Sequence, residues 1–212
     1  MIDLNAAFAL SGPEDCARLY SEWAATYDAG FAAEMDYRLP THVAAAFLAH
    51  GGTGPVLDVG AGTGLLAEQL RQMGYTGDID AVDLSPDMLL AAQCKHLYRR
   101  LHQADITRAL SLAGPYGGIV SSGTFTHGHV GPDAIAQLEA QAAPGALFVL
   151  SINEGVYHAM GFDVALSRRA GVTLLEVQIY GPAAAAKDPD HAEQRGLIAV
   201  WRHGSAGTGA AD

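Results

Sequence analysis

The amino-acid sequence predicts an α/β fold built around a mostly parallel sheet, and three observations lead to this prediction. From residue 55 to residue 170, short apolar strand patterns alternate with helical patterns, which is typical of strands joined by crossover helices. A glycine-rich turn connects the first strand to the next helix. The last two strand patterns, 172–180 and 196–203, are joined by a polar link interrupted by prolines, which predicts an antiparallel pair at one end of the sheet.

Residues 1–53 are predicted to form a helical lid. Residues 11–14 read Ser-Gly-Pro-Glu, a capping box that predicts the start of a helix. A second helix is predicted after Pro40 and is expected to end at the glycines of 51–54. Leucine and aromatic side chains at helical spacing form a stripe on the first helix, namely Leu19, Tyr20, Trp23 and Tyr27.

The core of the single predicted domain covers residues 54–203, in a chain of 212 residues. Its other strands are predicted at 55–60, 78–83, 97–103, 116–121 and 146–152. Helices are predicted at 65–73, from 85 to about 96, at 132–142 and at 157–170. The tail, 204–212, is small, polar and rich in glycine, and is expected to be disordered.

The composition argues against several classes of partner. Lys and Arg number 12 and Asp and Glu number 23, so the net charge is −11, and few cations are present to bind nucleic acid or an anionic membrane. Two cysteines, Cys16 and Cys94, cannot build a disulfide framework or a four-thiolate zinc site. The start of the chain has no basic segment typical of a secretory signal, and no apolar run approaches the ~20 residues that span a bilayer. A cytoplasmic protein is therefore expected.

The strongest sequence signal is the acid and glycine pattern that follows the first strand. Asp58 precedes a loop that contains Gly60, Gly62 and Gly64, and a helix follows. A dinucleotide-binding loop would place its third glycine at position 65, which is Leu65. A pyrophosphate has no use for the preceding carboxylate, whereas a ligand with an ammonium group does. The alternative interpretation is an ordinary tight turn between strand and helix.

Acidic residues also follow the next two strands. Asp83 ends the second strand, where a carboxylate can accept both hydroxyls of an adenosine ribose, although a helix cap or a solvated loop acid is the alternative. Leu84 and Met88 are placed to pack on a purine, and a core role is the alternative for Met88. Asp105 can accept the adenine amino group while the backbone of Ile106 meets the ring; alone, Asp105 would be a turn residue.

A glycine-rich loop with two histidines follows the fourth strand. Loops at this end of a parallel sheet face the ligand crevice, so His127 is a candidate general base that positions or deprotonates a substrate. Hydrogen bonding of both histidines to the backbone is the alternative. His127 and His129 alone are too few to bind a metal, and no metal is predicted.

Four segments at successive strand ends resemble the motifs of class I S-adenosylmethionine-dependent methyltransferases. They are 56–64, 81–85, 103–106 and 118–121, within a resemblance that covers about 27–201. Tyr27-Asp28, Tyr37-Arg38-x-Pro40 and 153–155 are similar to the Williams–Beuren-region methyltransferase-like proteins.

This resemblance implies a Rossmann-like sheet of seven strands in the order 3-2-1-4-5-7-6, with strand 7 antiparallel, and S-adenosylmethionine as cofactor. The glycine loop would cradle the methionine part, Asp83 would hold the ribose and Asp105 would read the adenine. Tyr27 would close over the cofactor, and Arg38 would face its carboxylate. The cofactor-binding residues implied in this way are Tyr27, Arg38, Asp58, Gly60, Ala61, Gly62, Thr63, Gly64, Asp83, Leu84, Met88, Asp105, Ile106 and Ser121.

The expected activity is methyl transfer to a small-molecule acceptor. After the fourth strand, the sequence has neither Asn-Pro-Pro-Tyr nor Asp-Pro-Pro-Tyr, the clamp of many enzymes that methylate planar amino groups. The net charge of −11 also disfavours a nucleic-acid acceptor. Three alternatives remain open: a nicotinamide-dependent oxidoreductase, another transferase on the same scaffold such as an aminopropyl transferase, and a cofactor-binding protein without turnover. The acceptor, the methylated atom and the oligomeric state remain open.

Overall fold

A computed structural model describes residues 27–204 of the chain. The capping box at 11–14, the stripe from Leu19 to Trp23 and the tail from 205 onward lie outside the described residues. The strands are β1 (Val56–Val59), β2 (Ile79–Asp83), β3 (Arg100–Gln103), β4 (Tyr116–Phe125), β5 (Ala142–Asn153), β6 (Thr173–Gln178) and β7 (Arg195–Arg202). The α-helices are α1 (Leu39–Ala49), α2 (Leu65–Gln72), α3 (Pro86–Cys94), α4 (Ala134–Glu139), α5 (Glu154–Tyr157), α6 (Phe162–Ser167), α7 (Ala184–Lys187) and α8 (Pro189–Ala192), and a π-helical turn spans Tyr27–Ala32.

The seven strands form one sheet in the order β3-β2-β1-β4-β5-β7-β6, which confirms the predicted topology. β1 pairs in parallel with β2 on one side and with β4 on the other. β7 runs antiparallel to both β5 and β6, as expected for strand 7. The chain reverses its direction of travel across the sheet beside β1, so a crevice opens between the carboxyl ends of β1 and β4.

The central strands of the sheet are buried on both faces, and their alternate side chains point to opposite faces. Val120 and Val149 pack with Phe47 of α1 on one face. Ile119 and Phe148 belong to the cluster on the other face, which includes side chains of α4 and α6. This packing explains why the central strands are nearly continuous apolar runs.

A buried charge cluster ties β2 to the starts of β3 and β4. Asp80 is fully buried. It accepts hydrogen bonds from Arg99 Nε at 2.9 Å and Nη2 at 2.8 Å, and from the Tyr116 hydroxyl at 2.9 Å. Burial acts to raise the pKa of Asp80, but the hydrogen bonds from Arg99 and Tyr116 outweigh it and the net shift is downward. A paired, ionised Asp80 therefore stabilises the amino-terminal edge of the sheet.

Several element boundaries differ from the sequence prediction: β3 begins at Arg100 and β5 at Ala142, and the link between β6 and β7, predicted without a helix, contains the short helices α7 and α8. β4 extends past 121 to Phe125 through an irregularity in its pairing with β5. The helix predicted at 157–170 is two short helices, α5 and α6, because Gly161 between them has a φ of 80°. The helix predicted to reach 142 ends at Glu139, since Ala142 already pairs with Tyr116 in the sheet.

Candidate functional site

A cavity lies at the carboxyl ends of β1, β2 and β4, in the crevice that the topology creates. The structure brings most of the sequence-predicted cofactor residues together here. Those that line the cavity are Tyr27, Asp58, Gly60, Ala61, Gly62, Thr63, Asp83, Leu84, Met88, Asp105 and Ile106. Arg38, Gly64, Ser121 and His127 do not line it.

The glycine loop is shaped by backbone conformations that favour glycine. Gly60 has a φ of 64°, and a Cβ at this position would overlap Thr124 Oγ1 of β4. Gly62 has a φ of 53°, and a Cβ there would meet nothing within 4 Å, so the space above it is open. The loop therefore presents bare backbone to the cavity just before α2 begins.

Asp83 is held by the same loop. Its Oδ2 accepts a hydrogen bond from the Gly62 backbone N–H at 2.8 Å, and its Oδ1 accepts one from the Ser85 N–H at 2.8 Å. Burial raises the pKa of Asp83, and these backbone hydrogen bonds oppose that rise. Each carboxylate oxygen has a second lone pair, so Asp83 can still accept hydrogen bonds from a vicinal pair of hydroxyls.

Asp58 is a second buried carboxyl group on the cavity wall, with 1% of its surface exposed. Burial raises its pKa to about 7, the hydrogen bond from Tyr98 lowers it, and the charge of Asp83 raises it. The Tyr98 hydroxyl donates to Asp58 Oδ2 at 2.7 Å. The Tyr98 ring also covers Gly64, whose Cβ would come within 3.0 Å of it. Gly64 thus leaves room for the Tyr98 ring. Sequence reasoning did not select Tyr98 as a site residue.

The π-helical turn is fastened to the glycine loop through Asp28. The Thr63 hydroxyl donates to Asp28 Oδ1 at 2.5 Å. Lys95 Nζ lies 2.5 Å from Asp28 Oδ2 and 3.0 Å from Glu68 Oε2. These bonds join the turn to α2 and to the end of α3, and they bring Tyr27 to the cavity wall.

Tyr37, and not its neighbour Arg38, faces the cavity. The Arg38 guanidinium instead pairs with Asp36 at 2.7 Å on the surface. Tyr37 is hydrogen-bonded to Ser122, and burial raises its pKa to about 12 despite that bond. The Tyr37 ring packs 5.5 Å from the Phe31 ring, between centroids, which turns the side chain inward.

The end of β4 contributes its later residues to the cavity. Ser121 is buried, and its hydroxyl donates to the Val59 carbonyl at 2.7 Å, so it joins β4 to β1. Ser122, Gly123 and Thr124 line the cavity beyond it. The irregular pairing that lengthens β4 is what carries these three residues to the wall.

The structure separates the two histidines of the loop after β4. The His127 ring packs against Gly155, whose Cβ would come within 2.9 Å of its Cε1 and Nε2. His129 lines the cavity together with Val130. His129 is therefore the histidine of this loop that lines the cavity, whereas His127, the predicted general base, does not line it. Within residues 27–204 no cluster of three or more His, Cys, Asp or Glu could hold a metal ion.

Asp105 lines the cavity and is held in place by contacts within its own turn. Its Oδ1 accepts hydrogen bonds from the Thr107 N–H at 2.9 Å and hydroxyl at 2.6 Å, and Arg108 Nε lies 3.2 Å from Oδ2. Although burial acts to raise the pKa of Asp105, these contacts hold it below its ordinary value. Sequence reasoning did not select a further group of lining residues, most of them neighbours of selected ones: Tyr37, Pro40, Leu65, Leu66, Ser85, Ala104, Thr107, Ser122, Gly123, Thr124, His129 and Val130.

Comparisons with known proteins agree with this architecture. The chain is 34% identical over 139 residues to human Methyltransferase-like protein 27, a match that covers 62% of the chain and 55% of the human protein. The match therefore spans about half the length of this curated relative. No helix among the described residues is both long and apolar enough to cross a membrane.

Two solved structures have the same fold at low sequence identity. One is the N-methyltransferase NodS from Bradyrhizobium japonicum WM9 with S-adenosyl-L-homocysteine, with a TM-score of 0.62, 17% identity, and coverage of 88% of this chain and 97% of that one. The other is the Burkholderia thailandensis 1,6-didemethyltoxoflavin-N1-methyltransferase, with a TM-score of 0.58, 22% identity, and coverage of 92% and 91%. A family model described as a methyltransferase domain matches residues 31–194. With most of its length matched by that model, the chain belongs to the methyltransferase-domain family.

Proposed function

We propose that this chain transfers the methyl group of S-adenosylmethionine to a small-molecule acceptor and releases S-adenosylhomocysteine. The observation that carries the proposal is the convergence of Asp58, the backbone of residues 60–63 and Asp83 on one cavity. Membership of the methyltransferase-domain family supports it. NodS was solved with S-adenosyl-L-homocysteine, and the Burkholderia enzyme with 1,6-didemethyltoxoflavin and S-adenosylhomocysteine, which is also consistent with it.

The residues of the cavity fit this cofactor. Asp83 has free lone pairs for a ribose, and the open space above Gly62 leaves room for a ligand against the backbone. Asp58 suits the ammonium group of the methionine part. Asp105 and Ile106 are proposed to meet the adenine, with Leu84 and Met88 on its faces.

The cofactor supplies an activated methyl group, so the protein has to align the acceptor and exclude water. We propose that the amino-terminal segment acts as a lid, with Tyr27 in the part that closes over the cofactor. The bonds of Asp28 to Thr63 and Lys95 support this role, since they hold the turn of residues 27–32 against the glycine loop. We also propose that the protein works in the cytoplasm, and that its acceptor is not a nucleic acid because the net charge is −11.

Calorimetry with S-adenosylhomocysteine tests the cofactor assignment. We expect Asp83→Ala to weaken binding by about 1–3 kcal/mol, the loss typical of hydrogen bonds to a charged group. Asp133→Ala is the matched control, because Asp133 is an exposed acid that does not line the cavity. Equal affinities of the two folded variants would place the ribose elsewhere, and binding of NADH instead would favour the oxidoreductase alternative.

Product analysis by mass spectrometry tests the reaction. The protein is incubated with S-adenosylmethionine and a broad acceptor panel. Methyl transfer yields S-adenosylhomocysteine and an acceptor heavier by one CH₂, whereas aminopropyl transfer would yield a different nucleoside product. Tight cofactor binding without any product across the panel would favour a binding protein without turnover.

A further inference from the structure

The cavity has a second wall that the proposed cofactor site does not use. It begins at the end of β4, where Gly60 packs against Thr124. On the side of β1 away from β2 and Asp83, the lining is formed by β4, the loop after it and the start of α1. We call this surface the acceptor wall and define it by Tyr37, Pro40, Ser122, Thr124, His129 and Val130.

The acceptor wall combines one aromatic ring with small hydroxyl groups. Tyr37 is fixed by ring contacts, with its centroid 5.5 Å from that of Phe31 and 5.9 Å from that of Tyr180. Its hydroxyl is hydrogen-bonded to Ser122. With a pKa of about 12, Tyr37 stays neutral at physiological pH and offers a hydrogen bond rather than a charge. Pro40 and Val130 add apolar surface beside it.

The described part of the cavity lining contains carboxylates but no Lys or Arg. Among the described lining residues, the charged ones are Asp58, Asp83 and Asp105, and none is Lys or Arg. His129 carries a positive charge only when it is protonated. Residues 1–26, which the structure does not describe, contain a single Lys or Arg, Arg18. An anionic acceptor on this wall would therefore lose its hydration without a permanent cation among the described lining residues to pair with it.

We propose that the acceptor is an uncharged molecule with a flat apolar body, which packs on Tyr37 and presents a hydroxyl, thiol or aryl amine towards His129. This inference rests on the proposed function and specifies the substrate class of the same site. A lone pair of the acceptor forms the new bond to the methyl carbon while the bond from that carbon to sulfur breaks. The electron pair of the broken bond returns to sulfur, and the proton of the acceptor passes to His129 or to water.

Matched pairs of ring compounds test the charge preference. Benzamide with benzoate, and nicotinamide with nicotinate, differ mainly in the negative charge. Their binding to the protein saturated with S-adenosylhomocysteine is measured by ligand-observed NMR. We expect each amide to bind at least about tenfold more tightly than its carboxylate, because the carboxylate has no cationic partner. Tyr37→Ala should abolish binding of the amides, and Tyr37→Phe should retain most of it because the ring remains.

A cation placed on the wall should reverse this preference. Val130 is partly exposed at the cavity, so Val130→Lys adds a charge without removing a buried side chain. We expect this variant to gain affinity for benzoate and nicotinate. The wild-type comparison and the Val130→Lys variant decide the question even if Tyr37→Ala fails to fold.

Calorimetry of S-adenosylhomocysteine binding precedes each measurement, so that failure of cofactor binding can be distinguished from failure of acceptor binding. If the cofactor product does not bind, the proposed function fails and this inference fails with it. If the product binds but the carboxylates bind as tightly as the amides, or if neither member of any pair binds at millimolar concentration, the inference about the acceptor alone is wrong. Turnover of an anionic acceptor would also overturn it.

Discussion

The buried carboxyl group of Asp58 predicts that cofactor binding depends on pH near neutrality. Burial raises its pKa from 3.8 to about 7 in the ligand-free protein, so the group is largely protonated at about pH 6. An ammonium group selects the ionised form, and a proton must then leave on binding. Affinity for S-adenosylhomocysteine should therefore rise by about tenfold between about pH 6 and about pH 8, as one group with a pKa of about 7 ionises.

The assay is calorimetry at several pH values in buffers of different ionisation enthalpy, which counts the protons released. 5′-Methylthioadenosine is the matched control ligand, because it keeps the ribose and adenine but lacks the ammonium group. Its affinity should show only the pH dependence that arises from Asp83, whose pKa burial also raises. Asp58→Asn should reduce the slope for S-adenosylhomocysteine to that of the control. A slope that is the same for both ligands in the wild-type protein would refute the assignment of Asp58 to the ammonium group.

The same raised pKa makes a prediction about stability without ligand. A carboxyl group whose pKa is higher in the folded state binds more protons there than in the unfolded chain. The free energy of unfolding should therefore fall as pH rises from about 4 to about 7, and Asp58→Asn should remove this part of the dependence. Chemical denaturation across that range measures it, and an unfolding free energy that rises through the window in the wild-type protein but not in the variant would contradict the sign.

Two further substitutions test the contacts around the site and the sheet. Lys95→Met should weaken binding of S-adenosylhomocysteine by about fivefold and speed hydrogen exchange in residues 27–32, because Asp28 loses its ion pair. Unchanged exchange would show that this pair does not hold the turn of residues 27–32. Arg99→Met should lower the free energy of unfolding by about 3 kcal/mol, because it leaves the buried Asp80 without its main partner. A loss below about 1 kcal/mol would show that protonation or another partner compensates for the loss of Arg99.

The parallel character of the sheet and the edge at which the cavity lies were predictable because they follow from local patterns. Alternating strands and helices lead to a parallel sheet, and the carboxyl ends of parallel strands meet at one edge. Asp58 and Asp83 end neighbouring strands, so their approach follows from the topology alone. The family resemblance supplied the strand order, which composition and periodicity do not give.

The side-chain directions in the turns were harder to predict. Tyr37 and Arg38 are adjacent, and only the contacts of Tyr37 with Phe31 and Tyr180 determine which of them faces inward. His127 and His129 lie in an irregular loop without a periodicity that would assign their faces. Tyr180, which contacts Tyr37, and Gly155, which contacts His127, are both distant from their partners in the sequence.

Contacts made at long range account for the remaining differences. Tyr98 reaches Asp58 across 40 positions of sequence, and Asp28 reaches Thr63 across 35, without a local signal for either pair. The extension of β4 depends on pairing between Phe125 and Ile152 of β5, which a single strand pattern does not contain. Tyr98 and Asp28 can be read from the sequence, but the sequence does not show which residues they contact.

The cavity at the carboxyl ends of β1, β2 and β4 is proposed to bind S-adenosylmethionine and its product through the glycine loop and Asp83. A crystal structure of the protein with S-adenosylhomocysteine tests this most directly. We expect both ribose hydroxyls within hydrogen-bond distance, about 2.6–3.2 Å, of the Asp83 carboxylate, with the ammonium group beside Asp58 and the adenine next to Ile106. A nucleoside bound away from Asp83, or a glycine loop without ligand at saturating concentration, would contradict the account.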